Sequence, residues 1–259
     1  MKITVLIENT TLRDDLAAEH GLSLYIETDT HHILFDTGQT GAFADNAAKL
    51  GIDLKMVDLC VLSHGHYDHG GGLKRFLEIN DHAPVYINEN AFGDYFSSGH
   101  YIGLDPTLEE NPRIKTVSDV TELAPGMTLC SCNDLLRPFS FGVFGQTIRQ
   151  NGIHTDDSYL HEQYLLLEEK DRKFCFSGCS HKGLLNILHW FRPGLFFGGF
   201  HFIRMDPHGQ ELADSIRQLS TFPALYYTGH CTGQEQYAVM KERLNDRLHY
   251  LHTGTVIEI

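Results

Sequence analysis

LSHGHYDHGGGL, residues 62–73, sets His64, His66, Asp68 and His69 close together and ends in three glycines. His64 and His66 are two apart. An extended backbone sends both side chains to the same side, so both imidazoles reach one ion. Asp68 and His69 come where the chain turns into a helix, and the bend aims them at a second ion. The glycines permit unusual dihedrals and close backbone approach. The stretch directly follows VDLCVLS (57–63), a nearly continuous apolar run of the kind that forms a strand buried on both faces. Ends of such strands are where α/β folds place their sites. A histidine-rich surface turn is the competing reading, and it leaves unexplained why an acid stands between the histidine pair and the third histidine.

Outward from this segment the chain alternates strands and helices. KITVLIE, LSLYIET, HHILFDTG and PVYIN read as strands. The spacing predicts helices over 41–50 and 71–79. YLLLEE and KFCFSG form a hairpin that turns at 170–172. Helices follow over 184–191, 210–219 and 234–244, interleaved with the strands GLFFGGF, ALYYTGH and the closing HTGTVIEI. Two packed sheets with helices outside, a four-layer αββα sandwich in one domain over 1–259, accommodate this order. The stretch from about 90 to 160, with Pro106, Pro112, Pro125 and Pro138, is expected to hold a helix, short strands and an inserted lid over the site.

Acidic residues number 34 against 20 Lys and Arg, a formal net charge of -14. No basic run is present, which argues against nucleic acid as a partner. The six cysteines form no CxxC pair, so a zinc ribbon or a thioredoxin-type site is not expected. The first residues lack a signal-peptide pattern, and no apolar stretch is long enough to cross a bilayer. A cytoplasmic protein with free thiols and no membrane partner is the expectation, and its oligomeric state is open. Seventeen histidines are many for a structural role alone.

The segment His64 to His69, together with FDTG at 35–38, resembles the metallo-β-lactamase superfamily. The resemblance runs through most of the chain. AEHGLS (18–23), SGCSHKGLLNIL (177–188), GGFH (198–201), GHCTG (229–233) and TGTVIEI (253–259) resemble one subgroup, the dihydropterin-ribofuranosylaminobenzene-phosphate synthase relatives. That subgroup usually carries a TGEIPR-like stretch. Here FGQTIRQ (144–150) keeps Gly145, Ile148 and Arg149 without the acid and the proline. The resemblance implies a four-layer αββα metallo-β-lactamase fold and two divalent metal ions. It implies metal ligands at His64, His66, Asp68 and His69, and a further histidine to the first metal among His154, His161 and His181, of which His181 is favoured. His230 would serve the second metal. The place of the bridging acid falls on Cys179, either a thiolate ligand or a buried core thiol. Asp36 would steady the ligand loop by hydrogen bonds.

His201, at the end of GLFFGGF, is a further ligand or a proton donor, and Asp68 is catalytic as well as ligating. His20 and Arg149 are candidate substrate contacts, Arg149 through its planar fork to a phosphate. Zinc suits the nitrogen, oxygen and sulfur donors, with manganese or iron as alternatives. Hydrolysis of a small phosphate ester or phosphodiester by water activated between the ions is the leading expectation. Thioester or lactone hydrolysis, or a pterin-related synthesis releasing pyrophosphate, needs the same centre. A di-iron reductase is disfavoured, since such relatives usually have Glu where His66 stands. A non-catalytic ligand sensor is the reading from a different class.

Overall fold

The computed structural model describes residues 1–140 and 145–259. Its strands are β1 (Lys2–Ile7), β2 (Ser23–Glu27), β3 (His32–Phe35), β4 (Leu59–Val61), β5 (Val85–Asn88), β6 (Asp94–Ser97), β7 (His100–Tyr101), β8 (Ile114–Val117), β9 (Val120–Ala124), β10 (Met127–Cys130), β11 (Gln146–Gln150), β12 (Ile153–Asp156), β13 (Tyr164–Glu169), β14 (Arg172–Phe176), β15 (Leu195–Phe197), β16 (Leu225–Thr228), β17 (Leu248–Tyr250) and β18 (Val256–Glu258). Its α-helices are α1 (Ala42–Lys49), α2 (Tyr67–Gly70), α3 (Leu73–Ile79), α4 (Leu184–Phe191), α5 (Gln210–Leu219) and α6 (Gln234–Leu244).

Side-chain alternation builds the layers. On the β13–β14 hairpin, Leu165 pairs with Phe176 and Leu167 with Phe174. These four point inward, and they pack in one buried cluster with Ile3, Val5, Ile33, Phe35 and Val61 of the other sheet. The intervening Tyr164 and Cys175 point outward, against Leu184, Ile187, Leu188, Leu212 and Met240 of α4, α5 and α6. Leu34, Cys60 and Val85 face outward from the first sheet onto Phe43 of α1 and Leu73 and Phe76 of α3. A strand has a period of two, so each strand serves both a sheet–sheet core and a sheet–helix core. The result is helix, sheet, sheet, helix. The hairpin turns at Lys170 and Asp171, both in left-handed backbone.

The first sheet runs β18-β1-β2-β3-β4-β5-β8, and the second runs β17-β16-β15-β14-β13-β10-β9. In the first, β3, β4, β5 and β8 are parallel neighbours. In the second, β14, β15, β16 and β17 are parallel neighbours. The 90–160 stretch divides differently from expectation. Strand β8 completes the first sheet and β9 and β10 complete the second. Only the four-stranded sheet β12-β11-β6-β7 stands apart. The described residues of the stretch form no α-helix, only the 3-10 turn Pro106–Leu108. The prolines and the lack of a helical period explain this. Strand β17 lies in a stretch the sequence reading left without an element, because LHY is too short to show alternation. Among the described residues, no helix is long and apolar enough to cross a membrane.

Phe176 is fully buried at the centre, its ring 4.9 Å from that of Phe197 and 5.9 Å from that of Phe35. Phe176→Ala should lower unfolding stability by about 3–5 kcal/mol, read from the urea denaturation midpoint at unchanged slope.

Candidate metal centre

The topology delivers the chemistry to one edge. Asp36 follows β3, and the segment holding His64, His66, Asp68 and His69 follows β4. Cys179 and His181 follow β14, His201 follows β15 and His230 follows β16. All are at the C-terminal ends of parallel strands, the crevice where open α/β sheets gather their sites. Asp36, Ser180, His201 and His230 hold left-handed backbone, with φ of 59°, 60°, 57° and 46°. Such a conformation costs a non-glycine residue roughly 1–3 kcal/mol and persists where its surroundings enforce it. Gly178 lets the two sheets' turns meet. A Cβ there would stand 2.1 Å from Ser63 Oγ and 2.9 Å from His64 Nδ1.

The hydrogen bonds fix where the imidazole protons sit. Asp36, fully buried, accepts from the Ser63 amide and, through Oδ2, from the Ser63 hydroxyl, each at 2.7 Å. With that hydroxyl proton committed, the 2.8 Å contact from Ser63 Oγ to His64 must be donated by His64 Nδ1–H. His69 Nδ1–H donates to Asp36 Oδ2 at 2.7 Å. His230 Nδ1–H donates to Asn9 Oδ1 at 2.8 Å, and the Asn9 amide nitrogen donates back to the His230 carbonyl. In their neutral forms His64, His69 and His230 therefore all turn a bare Nε2 lone pair toward the interior.

Those lone pairs converge. His69 Nε2 lies 3.3 Å from His230 Nε2 and 3.2 Å from Cys179 Sγ, and His64 Nε2 lies 3.3 Å from His181 Nε2. The donor atoms of Asp68, His69, Cys179 and His230 all fall within 4.8 Å of one another, as do those of His64, Cys179 and His181, and of His64, His66 and Asp68. His66 Nε2 and His181 Nδ1 are buried with no hydrogen-bond partner. Facing lone pairs and orphaned buried nitrogens are costly unless a cation lies among them. A divalent metal ion fits this donor set. Cys179 belongs to both the His69/His230 group and the His64/His181 group.

Electrostatics tell the same story. Burial, then the neighbouring histidines, holds His64 well below the ordinary imidazole range. Burial, then His161, pushes His66 down to about 3. Burial pulls His69 down as well, but Asp36 and Asp68 outweigh it and leave it raised. Burial alone would raise Asp68, yet His69, His20 and His230 hold it well below the carboxylate range. Burial and then Arg204 push His201 down to about 4, so it is neutral near pH 7 and suits a hydrogen-bonding role better than proton storage.

The remaining candidates sort by position. His154 is exposed on β12 against Phe96, away from the cluster. His161 is buried, but both its nitrogens are used: Nδ1 accepts the Gly65 amide at 2.9 Å, and Nε2 meets Asp157 at 3.0 Å. It braces the loop between His64 and His66. His20 is half exposed and meets Asp68 Oδ2 at 3.2 Å. His201 lies with its ring 4.5 Å from that of His181. Arg149 lies apart from the donor cluster. It is exposed, ion-paired to Asp94 at 3.0 Å and laid over Phe96, and does not line the cavity. Phe144 of the same stretch lies outside the described residues.

The cavity, about 230 Å³, is lined by His20, Asp68, Cys179, His181, His201 and His230 together with Ser97, Gln146 and Arg204. The last three escaped sequence reading, as did the supports. Glu8 accepts the His230 amide, and Glu162 accepts the amides of His181 and Lys182. No local motif marks these residues, because the fold alone brings them to the site.

Comparison with known proteins agrees with this geometry. Residues 17–94 match the family model described as the metallo-beta-lactamase superfamily. An uncharacterised protein of Methanocaldococcus jannaschii is 27% identical, the match covering 99% of this chain and 100% of that protein. The 7,8-dihydropterin-6-methyl-4-(beta-D-ribofuranosyl)-aminobenzene-5'-phosphate synthase of the same organism is 28% identical, over 96% of this chain and 95% of that one. Among solved structures, Tm1679, a metal-dependent hydrolase of the beta-lactamase superfamily, superposes with a TM-score of 0.84 at 28% identity, covering 100% of this chain and 99% of that chain. With Asp36, the His64–His69 segment and the strand-end histidines gathered between two sheets, the chain has the metallo-β-lactamase fold and carries that superfamily's sequence signature over residues 17–94.

Proposed function

We propose that this chain is a hydrolase that holds two divalent metal ions, zinc by preference, and cleaves a small phosphate ester or phosphodiester. The observation that carries the reading is the paired donor set. Asp68, His69, Cys179 and His230 form one group and His64, Cys179 and His181 another, with Cys179 in both, while His64 and Asp68 also group with His66. Imidazole and thiolate donors favour zinc over hard-oxygen cations. Bound there, a metal pair supplies Lewis-acid polarisation of a substrate oxygen and makes water acidic near neutral pH. The chain's own groups do the rest. Asp68 accepts a proton or hydrogen bond at the floor of the cavity and is steadied by His20 at 3.2 Å. His201 offers a hydrogen bond to the leaving oxygen from the opposite wall. The buried walls exclude bulk water from the reacting atoms.

The phosphate reading is supported by the relative whose name ends in 5'-phosphate synthase. That same relative supports a second reading, a pterin-type synthesis that releases pyrophosphate, which would use the same centre. The small cavity favours a small-molecule partner. Thioester and lactone hydrolysis remain arms of the test.

The full chain should bind close to two zinc ions, and His66→Ala should lose at least one by elemental analysis. The cobalt(II)-loaded protein should show a thiolate charge-transfer band in the near ultraviolet that Cys179→Ser abolishes. An unchanged band would remove Cys179 from the ligand set. Asp36→Asn should weaken zinc binding about 10–100-fold in chelator competition, because His69 loses its orienting carboxylate. Bis(p-nitrophenyl) phosphate should be hydrolysed by the metal-loaded chain and not after chelation. Failure to turn over that diester, a thioester or a lactone with zinc, manganese or iron would overturn the hydrolase reading.

A further inference from the structure

We infer that His161, held by Asp157, is a positioning residue for His66 and sets the affinity of the ion that His66 ligates without ligating it itself. The inference deepens the proposed reading and rests on it for the metal pair.

Three of the ligand imidazoles are locked by a hydrogen bond through Nδ1: His64 to Ser63, His69 to Asp36 and His230 to Asn9. His66 is the exception. Among the described residues no hydrogen bond holds its imidazole, and its Nε2 is buried without a partner. Rings surround it instead. The rings of His64 and His181 lie 4.6 and 4.9 Å from it. His161 lies 4.9 Å away, and Tyr95 lies against His161 at 4.0 Å and meets His66 edge-on at 5.8 Å. His161, Tyr95 and His66 are all buried.

His161 also holds the backbone of the loop. Its Nδ1 accepts the Gly65 amide at 2.9 Å. On another side Gly65 presses on Ala91, where a Cβ on the glycine would stand 2.2 Å from the Ala91 carbonyl oxygen. The residue between His64 and His66 is thus pinned by one hydrogen bond and one close packing contact. The two imidazoles share a side only while the chain between them stays extended. A turn of the Gly65 peptide would carry His66 away from His64.

An Nδ1 that accepts an amide carries no proton. Neutral His161 therefore has its proton on Nε2 and donates it to Asp157 Oδ2 at 3.0 Å. This is the opposite tautomer to that of His64, His69 and His230. With both nitrogens spent, His161 has no lone pair for an ion, although its donor atom falls within 4.8 Å of those of His66 and Asp157. Asp157 is fixed in turn. Its Oδ1 accepts the Tyr159 amide at 2.7 Å, and its own amide donates to the Gln146 carbonyl at 3.2 Å. Asp157 directly follows β12 of the four-stranded sheet, which roofs the cavity with Ser97 and Gln146. The support runs from the roof through Asp157 and His161 to the loop.

The test is competition for zinc between the full chain and a chromophoric chelator, resolved into two binding equivalents. His161→Ala should weaken one equivalent about 10–100-fold, the loss usual when a ligand's outer support is removed, and leave the other unchanged. His161→Asn offers an acceptor to the Gly65 amide at the place of Nδ1 and should recover part of the loss. Asp157→Ala should weaken the same equivalent, because a ring without that acceptor is free to carry its proton on Nδ1, against the Gly65 amide. In a His66→Ala background, where that ion is already lost, His161→Ala should leave the remaining equivalent as it was, the non-additivity that marks action through His66. A merely structural His161 would instead weaken both equivalents alike, or lower the unfolding midpoint of the metal-free chain without changing their ratio, and either result overturns the inference. Should His161→Ala not fold, His161→Asn and Asp157→Ala carry the same comparison. Two zinc equivalents of unchanged affinity in folded His161→Ala overturn the inference alone, whereas an unaltered chain that binds no zinc removes the metal pair and the inference together.

Discussion

Buried imidazole lone pairs that face one another at 3.3 Å repel, and the rest of this molecule is arranged to keep them there. His64, His69 and His230 each have their Nδ1 proton committed, to Ser63, Asp36 and Asn9. None can swing away without leaving a buried donor unpaired, at about 1–3 kcal/mol for each such group. The supports come from distant parts of the chain. Asp36 ties the ends of β3 and β4 together, and Asn9 ties the N-terminal strand to the end of β16. The two-sheet core beneath fixes the spacing between them. An arrangement that holds like partners together at such cost makes physical sense as a cradle for positive charge.

The cradle also explains where backbone strain is concentrated. Asp36, Ser180, His201 and His230 all adopt left-handed φ at the turn leaving a parallel strand. A strand that simply continued would carry its side chain past the crevice. Reversing the chain within one residue aims the side chain back over the strand end, and the neighbouring hydrogen bonds hold it there. Gly178 plays the complementary part. By having no Cβ it allows the Cys179 turn to press against Ser63 and His64, which is what places one sulfur within reach of both histidine groups.

Much of this was legible in the sequence because it is encoded locally. HGHYDH announces its chemistry through residue type and spacing alone, and FDTG announces the buried acid. The apolar period of two located most strands, and helix punctuation located α4, α5 and α6 within a residue or two. What the sequence hid is what tertiary structure creates. Asn9 and Glu8 sit in an ordinary-looking turn, and nothing near them indicates that His230, more than two hundred residues away, is their partner. Arg149 looked like the anion contact because it lies in a stretch resembling a family motif, yet the pairing of β11 with β6 sets it beside Asp94. Arg204 carries no motif at all. The 90–160 stretch read as one excursion because its strands are short and interrupted by prolines, whereas three of them belong to the main sheets.

The roof sheet therefore has a narrower meaning than an unspecified lid. Two of its strands, β6 and β11, present Ser97 and Gln146 downward as a cross-strand pair. The turn after β15 presents His201 and Arg204 upward. Roof and floor thus meet at the mouth, while the donor groups of the strand ends lie below. Under the proposed hydrolase reading, a division of that kind would keep the reacting groups on the sheet edges and leave contacts with the rest of the substrate to the roof.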